Sequence, residues 1–346
     1  MSIRISLKHV AEAAGVSIST VSQALRGDGR ISAATRKSVE EVARKLGYQR
    51  DPLLSQFASR KFHRDDRLNG ATLLFVTARQ QEAQRSLPMY FNVFQERTER
   101  LGFRFEHFEM PLEFNYEKLL KQWFYRGVRG IAFANVFRCQ WLLEEPVSRF
   151  AVVCIGGSMR KLTYHTVKAE VSTAVIGMWE KAREHGYKRI GFALCRHAFE
   201  TLDDKLRLGI ARELSVRAKS RIPVYGGLMD NPSDFKTWME KYRPDAVIGF
   251  PGQIASWAEQ SSLKIPEDCA LLLAAIQPND FFSGWVENEA AIANRAADLL
   301  DSMIFHGDTE QPSPPTVTLV SGSWHEGKSS PYVHGAKPLP IMPVLR

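Results

Sequence analysis

The chain has 346 residues and a formal net charge of +8, a length that suits a small domain joined to a larger body. No apolar run approaches the roughly 18 residues of a membrane span, and the N-terminus reads as a charged amphipathic helix rather than a signal peptide. Four scattered cysteines lack metal-ligand spacing, so we expect reduced thiols in a cytoplasmic protein.

The first predicted elements form a helix-turn-helix domain over residues 1–50. Apolar residues recur there at the i, i+3, i+4, i+7 spacing of one helical face: Leu7, Val10, Ala11 and Ala14. Gly15 interrupts the pattern where a tight turn needs a positive φ, and Ser17 is placed to cap a second helix. A third helix, capped by Ser32, is predicted to end at Gly47. The second helix is short and carries hydrogen-bonding side chains outward, which indicates DNA binding in a major groove.

Basic charge is concentrated at the same end of the chain. Residues 1–64 contain 12 Lys and Arg against 5 Asp and Glu, a net charge of +7, so the other 282 residues carry about +1. Binding to a phosphate backbone requires this concentration of positive charge. A solvated basic helical face and a membrane-surface helix are the alternatives. The apolar residues are needed for a three-helix core, which favours DNA.

The strings VAEAAGVSISTVSQAL and ISAATRKSVEEVARKLGY resemble the N-terminal domain of the LacI/GalR-type (lactose-repressor) family of bacterial transcription regulators. The resemblance implies a homodimer that places two recognition helices in successive major grooves of a pseudo-palindromic operator in double-stranded DNA. It also implies a larger domain that binds a small effector, a sugar or sugar-derived molecule. The expected protein is therefore a transcriptional repressor whose affinity for its operator changes when the effector binds. We expect it in the cytoplasm, associated with the nucleoid when it is bound to DNA.

The family motif assigns DNA contacts to the second helix and its flanks. It gives base reading to Ile18, Ser19 and Gln23. Family members commonly have Arg at the third of these positions; because Gln pairs with adenine and Arg with guanine, we predict an adenine preference there. Phosphate contacts, which position the helix without reading sequence, fall to Ser17, Thr20, Ser22, Arg26 and Tyr48. For Thr20 and Ser22, ordinary helix-surface polarity explains the residues equally well.

Residues 51–69 are predicted to be a hinge helix and linker. Asp51 is placed to cap that helix, and Pro52 suits its first position. Phe57 stands where the family has a Leu that wedges into the central minor groove, and Phe is a residue type that unstacks base steps. Packing of Phe57 against a dimer mate or the larger domain is the alternative. The Pro and Arg usual in the family hinge are absent.

Residues 70–325 alternate short apolar runs with amphipathic helices, which predicts parallel sheets with helices on both faces. A short helix is predicted at 141–145, and the pattern restarts after a crossover near Val167. A second crossover near 287 precedes a late helix at 293–305. The resemblance implies an α/β periplasmic-binding-protein-like body of two parallel-sheet subdomains with a ligand cleft between them. Residues 326–346 are predicted to be a Pro-rich tail without the Leu heptads of a tetramerising helix.

Effector-binding residues are expected at the ends of the strands. Arg207 in KLRLGI matches the family's effector-clamping Arg, and a guanidinium suits a carboxylate, a phosphate or sugar hydroxyls. The alternative is a surface ion pair with Asp203 or Asp204. Weaker candidates occupy comparable positions: Thr77, Tyr90, Phe91, Asn135 and Trp285. Pro251 and Gly252 replace an Asn-Asp pair that commonly grips sugar hydroxyls in the family, so the sequence leaves the effector unidentified.

Enzyme motifs are missing from the sequence. It contains no Walker motif, H-E-x-x-H or G-x-S-x-G, so we predict no enzymatic activity, no cofactor and no metal site. Two other functions remain as alternatives. An effector-independent DNA-binding protein would lack a ligand cleft, and a solute-binding protein of the same body fold would need export and would have no use for a helix-turn-helix.

Overall fold

The computed structural model describes residues 5–25, 31–48, 70–78, 87–111, 115–134, 147, 149–157, 163–197, 201–228, 231–261 and 263–333. The chain divides into two compact units, Met1–Asn69 and Gly70–Arg346. Several predictions lie outside the described residues: Arg26, Phe57, Asn135, the hinge segment and the short helix at 141–145. None of the helices in the described ranges is long and apolar enough to cross a membrane.

The first unit consists of three short helices, α1 (Leu7–Ala14), α2 (Ile18–Leu25) and α3 (Ala33–Lys45). Helix α1 ends at Gly15, whose φ of 67° is the left-handed conformation that glycine adopts without steric cost. Each helix buries a valine and an alanine in a shared core: Val10, Ala11, Val21, Ala24, Val39 and Ala43. The helical spacing of apolar residues therefore predicted the inner face of α1 correctly, since Leu7 and Ala14 also pack against this core.

Ser17 caps helix α2, because its Oγ accepts a hydrogen bond from the backbone N–H of Thr20 at 3.1 Å. Ser17→Ala leaves that N–H without its acceptor, so we expect the free energy of unfolding of this unit to fall by about 1 kcal/mol. Urea unfolding followed by circular dichroism measures the loss. Ser38→Ala, on the exposed face of α3, is the matched control and should change stability by less than about 0.5 kcal/mol. Equal losses in the two variants would contradict the capping role.

The second unit contains two sheets. The first sheet is built from six parallel strands, β1 (Thr72–Ala78), β2 (Arg104–Met110), β3 (Val128–Ala134), β4 (Ala151–Ile155), β5 (His165–Ala169) and β10 (Val317–Val320). Their order across the sheet is β10-β5-β4-β3-β1-β2. Two helices lie between the early strands, α4 (Leu87–Arg100) and α5 (Tyr116–Tyr125).

The second sheet has five strands, β6 (Ile190–Leu194), β7 (Ala246–Phe250), β8 (Ala270–Ala274), β9 (Ser283–Val286) and β11 (Ser323–His325). Their order is β11-β9-β8-β7-β6, and only β11 runs antiparallel to its neighbour among these strands. Its helices are α6 (Val171–Glu184), α7 (Leu202–Arg217), α8 (Pro232–Tyr242) and α9 (Gln253–Gln260). Strands β6 and β8 are buried along their whole length, as expected for parallel strands covered on both faces. The α/β architecture predicted from the alternation is confirmed.

The chain passes between the two halves of the body three times among the described residues. The first passage joins β5 to α6 at Glu170, whose carboxylate caps α6 by accepting the backbone N–H groups of Ser172 and Thr173. The second joins β9 to helix α10 (Glu289–His306), which packs on α4 and on three strands of the first sheet. The third joins β10 to β11 and was not predicted, because these short strands lack a buried apolar run.

The segment predicted to begin a tail at residue 326 packs onto the second sheet through residue 333. Ser329 Oγ donates to the carbonyl of Leu271 at 2.5 Å and accepts the backbone N–H of Ser283 at 2.9 Å. His185 Nδ1 lies 2.6 Å from the carbonyl oxygen of Ser330. The segment makes these contacts through a serine hydroxyl and a backbone carbonyl and not through apolar side chains. Its composition therefore did not predict that it would pack onto the sheet. Residues 222–228 do not form a regular strand; Tyr225 and Leu228 each make an isolated β-bridge, to Ala193 and Arg196.

Candidate functional site

The outer face of α2 is the first candidate site. Ile18 is 49% exposed and Ser19 is exposed, while Gln23 is half-buried further along the helix. The opposite face anchors Val21 and Ala24 in the core. The helix therefore presents an apolar group, a hydroxyl and an amide on a rigid support, which together match the methyl and hydrogen-bonding groups of a major groove.

The residues predicted to contact phosphates also have structural roles. Ser17 Oγ lies 2.8 Å from Thr20 Oγ1 and 2.6 Å from Ser19 Oγ, so these hydroxyls form a local network. Tyr48 packs against the three-helix core, and its backbone N–H donates to the carbonyl of Ala43 at 2.9 Å. Ser22 is half-buried. Capping and packing hold these side chains at the edges of the outer face of α2.

Arg207 lies in the body, and the structure buries it. Its Nη2 donates to Asp204 Oδ1 at 2.8 Å, and its guanidinium carbon is 3.9 Å from the ring centre of Phe250. Arg207 Nε is buried with no hydrogen-bond partner among the described residues. The sequence left open an ion pair with Asp204 at the surface. The pair is present but buried, and it leaves one donor of the guanidinium unsatisfied.

Asp204 is held in its charged form. It accepts hydrogen bonds from the Thr201 backbone N–H at 3.0 Å and from Arg207, and its Oδ1 lies 2.9 Å from His197 Nδ1. Burial acts to raise the pKa of Asp204, but the hydrogen bonds from His197 and Thr201 and the electrostatic effects of His197 and Arg207 outweigh it. The pKa of Asp204 therefore lies well below its ordinary value.

A second ion pair joins the two halves of the body. Lys168 of β5, in the first half, pairs with Asp203 of α7, in the second half. A Cβ atom at Gly157, which follows β4, would overlap the Asp203 carboxylate, so a residue without a side chain is needed there. The start of α7 is thus in direct contact with the ends of strands in the first sheet. This places Asp203, Asp204 and Arg207 at the cleft between the halves.

Two glutamates at the second passage belong to the same neighbourhood. Glu289 is 7% exposed, and its Oε1 accepts from Gln277 Nε2 at 3.3 Å while its Oε2 is buried with no partner among the described residues. Burial, with a contribution from the charge of Glu287, raises the pKa of Glu289 to about 7. Burial also raises the pKa of Glu287. The charge of Arg207 lowers that pKa, and the charge of Asp203 raises it.

Tyr90 of α4 completes this group of residues. Burial raises the pKa of the Tyr90 hydroxyl, and the charges of Glu287 and Glu289 raise it further, so the hydroxyl stays neutral. We use the term cleft cluster for the charged and polar residues that these ion pairs and electrostatic interactions connect: Tyr90, Lys168, Asp203, Asp204, Arg207, Glu287 and Glu289.

The raised pKa of Glu289 makes stability depend on pH. The carboxyl group of Glu289 loses its proton near its ordinary pKa of 4.5 in the unfolded chain, but only near pH 7 in the folded protein. The stability that this group contributes is therefore lost as pH rises from 4.5 to about 7. Relative to Glu289→Gln, we expect the wild-type free energy of unfolding to fall by about 2 kcal/mol between pH 5 and pH 8. Urea titrations at four pH values measure the difference. Glu240→Gln, whose side chain is 68% exposed, is the control and should track the wild type.

The other predicted effector residues lie apart from the cleft cluster or at its border. Thr77 Oγ1 is 2.9 Å from His107 Nε2, and Phe91 packs its ring on Phe105 and His107 at 5.1 Å. Trp285 lies in β9, and its Nε1 is buried without a partner among the described residues. Among the predicted effector residues that the structure describes, only Tyr90 and Arg207 belong to the cleft cluster. They are linked by their electrostatic interactions with Glu287 and Glu289.

Sequence reasoning missed five members of the cleft cluster as site residues: Lys168, Asp203, Asp204, Glu287 and Glu289. The acidic string VENEA directly after β9 was the available signal, because it brings two carboxylates to the end of a parallel strand.

Comparison with known proteins gives three findings. Residues 6–51 match the family model of bacterial regulatory proteins, lacI family. A search of the curated proteins finds no match to the chain. Among solved structures, the chain is similar to the complex of the transcriptional regulator CelR with cellobiose, at 18% identity over 94% of this chain and 100% of that one, with a TM-score of 0.60.

Two further similar structures cover the same architecture. A lac repressor dimer bound to operator and the anti-inducer ONPF is 16% identical over 94% of this chain and 99% of that one, with a TM-score of 0.59. The LacI-family regulator CCPA from Weissella paramesenteroides, with bound glucose, is 11% identical over 76% of this chain and all of that one, with a TM-score of 0.58. At these identities the likeness shows a shared fold.

The chain combines a helix-turn-helix unit with an α/β body of two halves, each built on a mainly parallel sheet, and this fold is shared with the regulators named above. Residues 6–51 match the model of the lacI family of bacterial regulatory proteins, and the chain shares its fold with solved structures of transcriptional regulators that include the lac repressor.

Proposed function

We propose that this protein is a sequence-specific DNA-binding transcriptional repressor whose operator affinity changes when a small effector binds in the cleft of its body. The exposed face of α2 carries the proposal. Ile18 and Ser19 project from a helix whose other face is buried in a three-helix core, and Gln23 lies on the same outer face. A rigid, short helix with these groups fits a major groove, with all three side chains at base edges.

The roles of the flanking residues follow from their chemistry. Ser17, Thr20, Ser22, Arg26 and Tyr48 would contact phosphates and set the position of α2 without reading bases. Phe57 would insert into the minor groove at the centre of the operator. This assigns DNA binding to residues 1–50, the hinge to residues 51–69 and effector binding to the body that follows.

The assembly and location of the protein are part of the same proposal. The lac repressor among the similar structures is a dimer on its operator. A homodimer of this chain would place two α2 helices one DNA turn apart, about 34 Å, on a pseudo-palindromic site. The protein would act in the cytoplasm on nucleoid DNA. Cellobiose and glucose occupy two of the similar structures, and a small polar effector is proposed for this chain, with Arg207 and Tyr90 among its contacts.

Selection of fragmented DNA from the protein's own organism, at two salt concentrations and without ligand, tests the proposal. The expected result is a recovered pseudo-palindrome. Ile18→Ala should weaken binding to that site by at least about tenfold, the cost of about 1.4 kcal/mol at a base-edge contact. Ile176→Ala, on the exposed face of α6, is the matched control and should bind as the wild type does. Weak, sequence-blind and salt-sensitive binding alone would contradict the proposal.

A further inference from the structure

The cleft cluster contains more carboxylates than cations. Asp203 is paired with Lys168, and Asp204 is paired with Arg207 and bonded to His197. Glu287 and Glu289 remain, and neither makes an ion pair among the described residues. This surplus of carboxyl groups over cations is notable because the body as a whole is nearly neutral.

Glu289 also presents an unsatisfied acceptor. Its Oε2 is buried without a hydrogen-bond partner, in a residue that is 93% buried, and its Oε1 has one long bond to Gln277. An acceptor that is removed from water without a partner is unfavourable, and a ligand that donates to it recovers that free energy. The unsatisfied oxygen therefore marks where a bound donor would gain most.

The groups that interact electrostatically or by hydrogen bonds with these two glutamates come from several elements. Helix α4 contributes the neutral hydroxyl of Tyr90, and α7 contributes Asp203 and Arg207. The loop after β8 contributes the uncharged amide of Gln277, and Lys168 of β5 acts through Asp203. Because Asp204 already accepts the Nη2 donor of Arg207, no cation on these elements is free to neutralise both glutamates.

We propose that the effector carries a protonated amino group that binds between Glu287 and Glu289. The inference rests on the proposed function, since it names the ligand class of the same cleft. An ammonium group has three donors and one positive charge, which suits the unsatisfied oxygen of Glu289 and the neighbouring carboxyl group of Glu287. A carboxylate or phosphate ligand would add a negative charge where carboxyl groups already outnumber cations.

A metal ion fits this site less well than an organic cation. Among the described residues no set of three His, Cys, Asp or Glu side chains is arranged to hold a metal ion. The surroundings instead include the aromatic rings of Tyr90 and Phe250, with Phe250 stacked on Arg207. Apolar surface next to a few charged groups is typical of sites for small organic ligands.

Binding of an ammonium group would be coupled to release of a proton. In the free protein near neutral pH, Glu289 holds its proton in part of the molecules. When the ammonium–carboxylate pair forms, that proton leaves the carboxyl group for solvent and the ligand keeps its own. The affinity for an amine that stays protonated over this range, such as putrescine, should therefore rise with pH through about 7 and level off above it.

Matched ligand sets test the inference on the full-length protein. The probes are glucosamine, glucose and gluconate, and putrescine, 1,4-butanediol and succinate, compared by thermal shift and titration calorimetry. At least one amine should stabilise the protein more than its neutral and acidic counterparts do. Calorimetry of putrescine in phosphate and in HEPES buffer at pH 7 should show that the protein releases protons when the amine binds.

Two isosteric variants locate the site. Glu289→Gln and Glu287→Gln should each lower the affinity for that amine at least about tenfold, because a neutral amide replaces a carboxylate at the ammonium. Glu240→Gln, on the exposed face of α8, should leave it unchanged. Either variant alone is sufficient if the other fails to fold.

Three results would overturn the inference: no shift from either amine between pH 6 and pH 8, a larger shift from gluconate or succinate, or an amine affinity in both Gln variants equal to that of the wild type. Operator binding by the same preparation separates the two proposals. If the ligand-free protein selects an operator while the amines fail, the regulator stands and the ligand class is wrong. If no operator is selected, the proposed function itself is wrong.

Discussion

Asp204→Ala is expected to lower the free energy of unfolding of the body by about 3–5 kcal/mol. The wild-type carboxylate accepts from Arg207, lies at hydrogen-bonding distance from His197 and accepts the backbone N–H of Thr201. Its removal leaves the buried Arg207 guanidinium without a counter-charge and leaves two donors without their acceptor. Urea unfolding followed by tryptophan fluorescence measures the loss at pH 7, where Asp204 is fully charged.

A double variant distinguishes a buried charge from a simple loss of packing. Asp204→Ala with Arg207→Leu should be more stable than Asp204→Ala alone, because the unpaired charge is removed as well. Asp308→Ala, at an exposed position after α10, is the matched control and should stay within about 0.5 kcal/mol of the wild type. A loss below about 1 kcal/mol in Asp204→Ala would mean that water solvates Arg207, contrary to the burial described above.

Gln23→Arg is expected to change the base preferred at one operator position from adenine to guanine. Gln donates to and accepts from adenine N7 and N6, whereas Arg donates twice to guanine N7 and O6. Each pairing discriminates by about 1–3 kcal/mol, and the two discriminations add when the preference reverses, so the ratio of the affinities for the two operators should change by at least about 30-fold. Binding of both variants to a pair of operators that differ at that base pair measures the ratio.

An added positive charge by itself strengthens binding to any DNA, so the experiment needs a charge control. Ser38→Arg adds the same charge on the exposed face of α3. We expect it to raise affinity for both operators equally and to leave the base preference at adenine. An unchanged preference in Gln23→Arg, or the same change in Ser38→Arg, would contradict base reading by residue 23.

The first unit was predictable in detail because its structure depends on neighbours close in sequence. Helical periodicity places Val10, Val21 and Val39 inward, and the turn at Gly15 requires a positive φ that glycine supplies. The exposed face of α2 follows from the same periodicity, since residues such as Ile18 that do not face the core must face solvent. The alternation of strands and helices in the body is equally local, and the sheets follow it.

The arrangement of charges in the cleft was not predictable, because the residues concerned are distant in sequence. Lys168 and Asp203 meet only because α7 of one half reaches the strands of the other, and Arg207 becomes a buried residue for the same reason. The sequence by itself determined the three-helix unit, the outward residues of α2 and the class of body. The tertiary structure alone decided which carboxylates are paired and which stay without a cation, since the order of the strands and the three passages between the halves set those distances.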